Sequence, residues 1–161
     1  MFILTFLHDV RLSAELQRSK KLIKAYELYA SDSKDFSKYV EENKLSELNI
    51  LLQKQLQSQV RSKIDTAKTA YRNGNFADAA SFLREIKDIE NPWLDEVYFY
   101  LGMSLYKIGE IESSKIFLAA FLDGFRYSIY RKEALLVLKE LSTDDFKKKV
   151  EAAINDLDKE R

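Results

Sequence analysis

Cysteine is absent, proline occurs once, glycine four times and histidine once in a chain of 161 residues. Without cysteine there is no disulfide, no thiolate metal site and no thiol nucleophile. So few breakers argue against an all-β fold, which spends glycine and proline on its many turns. A single histidine, His8, cannot build a multi-histidine metal site. No run approaches the roughly 20 apolar residues that a membrane-crossing helix needs. The longest candidate, Met1–Leu7, lacks a basic leader and a small-residue cleavage site. Its apolar residues are expected to pack onto the helices that follow. An excess of charge is missing too, since Lys plus Arg and Asp plus Glu both number 26. The signs stay balanced along the chain, so a broad basic face for nucleic acid is not expected.

What is present is 46% hydrophobic and 32% charged residues, the composition of a globular domain built from long helices. Residues 8–30 carry apolar side chains at three- and four-residue steps, and Ser31-Asp32-Ser33 interrupts them. Asp32 or Ser33 is expected to accept from free amides at the next helix start. A second run keeps a helical phase from Phe36 to Asn73 with neither glycine nor proline. It predicts one helix of up to about 38 residues, or two joined by a kink near Gln57–Gln59. Residues 8–30 and 36–60 then form a helical hairpin or a coiled segment, 1–59. After it the punctuation is sharper: Asn73-Gly74-Asn75, Glu90-Asn91-Pro92, Gly109, Asp123-Gly124 and Ser142-Thr143-Asp144-Asp145. Helices are predicted over about 76–89, 93–107, 110–122, 127–141 and 144–158.

The chain repeats itself at a shift of 35 residues. Tyr71 meets Tyr106, Gly74 meets Gly109, Phe82 meets Phe117 and Leu83 meets Leu118. Ala67 is matched by Gly102, Phe76 by Ile111 and Ala79 by Ser114. Two helices cross closely only where small side chains meet, which is the expected work of Ala67, Gly102, Ala79 and Ser114. Gly74 and Gly109 suit the turns. One helix pair cannot cover its own apolar face, so pairs stack.

This pattern resembles the tetratricopeptide repeat over roughly 60–126. Tyr98, Leu101-Gly102, Leu105, Gly109-x-Ile111 and Ser114 follow the family's order, as do Gly74-x-Phe76-x-x-Ala79, with Pro92 close to the family's proline. Lys63 stands where a large residue is usual, Ser114 replaces alanine, Arg126 lies near the expected proline, and the period is one residue longer than standard. The resemblance implies an all-α stack of antiparallel helix pairs over 60–161, closed by a degenerate third pair at 127–158. The segment from Phe117 to Leu141 is similar, more weakly, to bacterial cell-envelope proteins of the Tol-Pal coordinator type.

In that family the first helix of each pair lines a groove that takes a peptide or a partner's helix. Carried over, the groove candidates are Arg61, Ile64, Lys68, Tyr71 and Arg72 from one repeat and Glu96, Phe99, Met103, Tyr106 and Lys107 from the next. The alternative for Ile64, Phe99 and Met103 is burial against the N-terminal helices. The resemblance implies an adaptor or scaffold that holds another protein, with no cofactor, no metal and no catalytic residue. The alternative is a structural subunit that self-associates through 1–59, with the repeats as a spacer. Adjacent acids such as Glu41-Glu42 and Asp144-Asp145 diverge on a helix, and Lys147-Lys148-Lys149 reads as a solvated helix start. As it stands the chain reads as cytoplasmic, or as a cell-envelope protein if Met1–Leu7 is the remnant of a removed anchor.

Overall fold

The computed structural model describes residues 2–142, 148 and 150–152, with side chains from residue 10 onward. The described residues are all-α, with no strand. The helices are α1 (Phe2–Ala30), α2 (Asp35–Glu42), a 3₁₀ turn (Ser46–Leu48), α3 (Asn49–Arg72), α4 (Phe76–Arg84), α5 (Leu94–Lys107), α6 (Ile111–Gly124) and α7 (Arg131–Leu141). Among the described residues no helix is long and apolar enough to cross a membrane. The chain divides into two compact units, Met1–Ser58 and Gln59–Arg161, with α3 running through the division.

In the first unit Ala25 of α1 and Phe36 and Val40 of α2 are buried with Leu45 and Leu48. Leu22, Tyr29, Leu51 and Leu52 pack around them. Tyr29 meets Phe36 ring to ring at 5.3 Å. Ser33 Oγ accepts from the Asp35 amide at the start of α2, as its position after the break suggests. Asp32 instead accepts from Gln55 Nε2 at 3.3 Å.

The long second run is broken, but not near Gln57–Gln59. Those residues lie inside uninterrupted α3, and the break falls at Asn43–Leu45. There the Lys44 amide donates to Glu41 O and the Leu45 amide to Val40 O, the double bond of a Schellman turn. Lys44 takes a positive φ of 53° to close it. Glycine normally announces such a turn, and a lysine there leaves no signal in the sequence.

The second unit has two cores. Val60, Ile64 and Ala67 of α3 are buried with Ala80 and Leu83 of α4 and with Val97, Leu101 and Leu105 of α5. Phe99 and Met103, on another face of α5, are buried with Leu118 and Phe121 of α6 and with Ala134, Leu135 and Leu138 of α7. Helix α5 is therefore the wall between both cores. Each fully buried Leu or Phe contributes on the order of 2 kcal/mol.

The small residues lie at the crossings. Gly102 is buried, and a Cβ built on it would stand 2.6 Å from Leu118 Cδ2. Ser114 Oγ donates to Gly102 O at 2.8 Å across the same crossing. Ala67 and Ala79 are wholly buried at the matching positions of the preceding pair.

The turns after α3 and α5 repeat bond for bond. Gly74 and Gly109 have φ of 81° and 82°. Asn75 donates to Ala70 O and Gly74 to Tyr71 O; thirty-five residues on, Glu110 donates to Leu105 O and Gly109 to Tyr106 O. These carbonyls would otherwise be left without donors at a helix end.

Other boundaries shift. α4 ends at Arg84, not 89, and turns fill 85–88. α7 starts at Arg131, not 127, because Phe125–Tyr130 forms a looped approach in which Ser128 Oγ donates to Asp95 at 2.7 Å. Asn91 Oδ1 accepts from the Trp93 amide, so Asn91 and Pro92 turn the chain into α5. The Thr143-Asp144-Asp145 start signal and most of the helix expected over 144–158 lie outside the described residues, as do the side chains of Phe2–Leu7. Val150 is buried in the second core, and Glu151 pairs with Lys139 at 3.0 Å.

Candidate partner-binding face

Helices α3 and α5, the first members of the two pairs, meet through an ion cluster. Glu96 accepts from Arg61 Nη1 at 3.0 Å and from Lys68 Nζ at 2.5 Å. Arg61 also holds Asp65 at 3.0 Å. Arg61 and Glu96 are themselves equivalent under the 35-residue shift, so one repeat position carries opposite charges on neighbouring helices. The Lys68 and Glu96 side chains are only 13% and 14% exposed, which makes this pair a structural tie.

Burial by itself would raise the Glu96 carboxyl. The hydrogen bonds from Lys68 and Arg61 outweigh burial and hold it below its ordinary value of 4.5. Burial likewise opposes the charge on Lys68, yet the bond to Glu96 leaves that ammonium above its ordinary value.

Aromatic rings surround the cluster. The Arg61 guanidinium lies 5.4 Å from the Trp93 ring centre, and Lys68 Nζ lies 5.2 Å from that of Tyr100. Tyr71 meets Phe76 at 5.1 Å and Tyr100 at 5.4 Å, edge to face. Tyr100 continues to Tyr130 at 5.6 Å. Burial pushes the Tyr71 and Tyr100 hydroxyls above the usual phenol range.

The expected groove residues thus separate into three groups. Arg61, Lys68 and Tyr71 come together around Glu96 and Tyr100. Phe99 and Met103 are 2% and 3% exposed. Phe99 stacks on Tyr130 at 4.5 Å inside the second core, so neither side chain offers surface. Ile64 is buried in the first core, against α4 and α5. Arg72 and Lys107 are exposed in the last turns of α3 and α5. Tyr106 is half-buried, and its hydroxyl donates to Glu140 at 2.8 Å, a bond that raises the phenol. Lys107 Nζ lies 5.3 Å from the Tyr106 ring centre.

Trp93, Tyr100 and Tyr130 were not among the expected residues. Trp93, Glu96 and Tyr100 are three and four residues apart, so helical spacing alone aligns the first two rings with Glu96. Tyr130 sits in the approach to α7, where no periodicity points to it. Among the described residues no group of three or more His, Asp or Glu side chains stands close enough to hold a metal ion. No protein-family model, curated protein or solved structure matches this chain.

Proposed function

We propose that this chain is a protein–protein interaction scaffold, that residues 60–126 are two tetratricopeptide repeats, and that its partner docks along the α3 and α5 ends. The observation that supports this reading is the duplicated helix, glycine turn and helix. Its two copies share the same turn hydrogen bonds at a 35-residue spacing. A stack of such pairs presents an extended surface on which contact residues can be arrayed. With Arg61 and Lys68 paired to Glu96 and Asp65, the groove candidates that remain as cations outside the cluster are Arg72 and Lys107. They are equivalent positions of successive repeats, each next to a tyrosine. A spaced pair of cations flanked by phenol rings suits a partner segment that carries carboxylates. A setting in the bacterial cell envelope belongs to the same proposal and rests on the weaker resemblance over Phe117–Leu141.

Arg72→Glu combined with Lys107→Glu is expected to abolish capture of the partner from native extract, with the circular dichroism spectrum unchanged. Capture that survives the double reversal in a folded chain would sink the assignment of this face.

A specific observation favours a second reading, self-association through the first unit. Leu12, Leu16, Ile23 and Tyr26 of α1 are 58%, 55%, 60% and 53% exposed. Their spacing of four, seven and three residues puts them in one heptad-like stripe. Light scattering should report an oligomer for the whole chain and a monomer for Leu16→Glu with Ile23→Glu. A monomer in both cases disposes of this reading.

A further inference from the structure

The opposite side of α1 carries different chemistry. Arg11, Ala14, Arg18 and Lys21 recur at three- and four-residue steps on the side that, further along, buries Ala25 in the core of the first unit. Ahead of that core the side opens into a solvent-exposed cleft of about 530 Å³, bordered across from α1 by Asn43, Lys44 and Leu45 of the turn after α2. A cleft of this size falls in the range of small-molecule sites.

Its charges are only half matched. Arg11 pairs with Glu15 at 3.1 Å and Arg18 with Glu47 at 2.7 Å. The side chains of Lys21 and Lys44, both exposed, form no ion pair or hydrogen bond among the described residues. Two positive charges from separate elements therefore line one cleft without an ion-pair partner, and Glu15, the carboxylate that lines it too, is engaged by Arg11.

Lys44 adds an independent observation. It occupies the left-handed position of its turn at φ 53°, where a side chain costs free energy that glycine avoids. Among the described residues three other helix ends close in the same way. Two use glycine, and the third uses Asp32, whose carboxylate is engaged by Gln55. Lys44 is the case in which strain is accepted and the side chain makes no hydrogen bond or ion pair in return. A strained residue whose side chain lines a cavity points to work done in that cavity.

We infer that this cleft binds a phosphate monoester. The dianionic phosphoryl group sits between Lys21 and Lys44, and the organic body lies against Ala14 and Leu45. The two unmatched cations fit a group carrying close to two negative charges and several acceptor oxygens. A carboxylate or sulfate ester leaves one of them unmatched. The volume exceeds what the phosphoryl group alone needs, so the organic part is seated as well.

The test is calorimetric titration of the whole chain at low ionic strength with phenyl phosphate, with phenyl sulfate as a probe of the same body and one charge fewer. Phenyl phosphate is expected to bind, and at least about tenfold more tightly than phenyl sulfate, since a charge-assisted bond is worth about that factor or more. Lys21→Gln with Lys44→Gln should weaken phenyl phosphate by about tenfold or more. Lys44→Gly should weaken binding while raising the thermal midpoint, because it removes the side chain and the strain together. Co-sedimentation with phosphatidylcholine vesicles, with and without phosphatidic acid, identifies the source of the ester. Pelleting that depends on phosphatidic acid and is displaced by phenyl phosphate makes it a lipid headgroup. Its absence, with phenyl phosphate still bound, makes it a free small molecule. The inference is overturned if phenyl phosphate does not bind, binds no better than the sulfate, or binds the double variant equally well. A lower midpoint for Lys44→Gly overturns it too.

Discussion

Gly102→Val is expected to destabilise the repeat unit by about 3 kcal/mol, the upper part of the range for overpacking a filled core. A Cβ at this position meets Leu118 Cδ2 at 2.6 Å, Leu118 Cγ at 2.7 Å and the Leu118 backbone nitrogen at 3.3 Å. Leu118 is wholly buried beside Phe121 and Leu138, so its side chain has nowhere to retreat. Helices α5 and α6 must then separate, which stretches the bond from Ser114 Oγ to Gly102 O. Valine's better helix propensity returns only about 0.5 kcal/mol. Gly124→Ala is the control, because a Cβ there meets nothing within 4 Å. Urea unfolding followed by circular dichroism compares the two. A cost under about 1 kcal/mol for Gly102→Val would mean that α5 and α6 do not depend on close approach.

Glu96→Gln should cost about 2 kcal/mol at neutral pH. The substitution leaves Lys68, at 13% side-chain exposure, without a counter-charge and removes one partner of Arg61. Breaking a fully buried pair costs more, but the Arg61 side chain is 36% exposed and water screens that half of the cluster. The same carboxyl sets a pH dependence. Its folded value lies below 4.5, so its contribution is complete above the unfolded value, near 4.5, and is lost as pH falls through the folded value. Wild-type stability should therefore drop more steeply than that of Glu96→Gln in this acid window, and the two curves should converge at its lower end. Parallel curves from neutral to acid pH would show that the Glu96 cluster holds nothing together.

The helix pairs were legible because their punctuation is chemical. Gly74 and Gly109 are needed at positive φ, and Asn91-Pro92 opens a helix, so short-range rules find these boundaries. Lys44 closes a turn of the same geometry with a residue that gives no such sign, and the break at Asn43–Leu45 was therefore expected elsewhere. Phe99 and Met103 illustrate a second limit. Periodicity assigns one buried face to a helix, whereas α5 is buried on two, and residues that would otherwise form a groove fill the second core. Glu96 was legible as a groove candidate, but its engagement by Arg61 and Lys68 depends on how closely α3 approaches α5.

Spacing and residue size along the chain determined the helical class, the 35-residue duplication, the two glycine turns and the small residues at the crossings, since each depends on neighbours within a few turns or on repetition. Only the packed molecule decided which cations are neutralised, which aromatic rings are buried, and that Lys21 and Lys44 share one cleft. Those outcomes rest on distances between segments far apart in sequence, and such distances arise only when the helices pack.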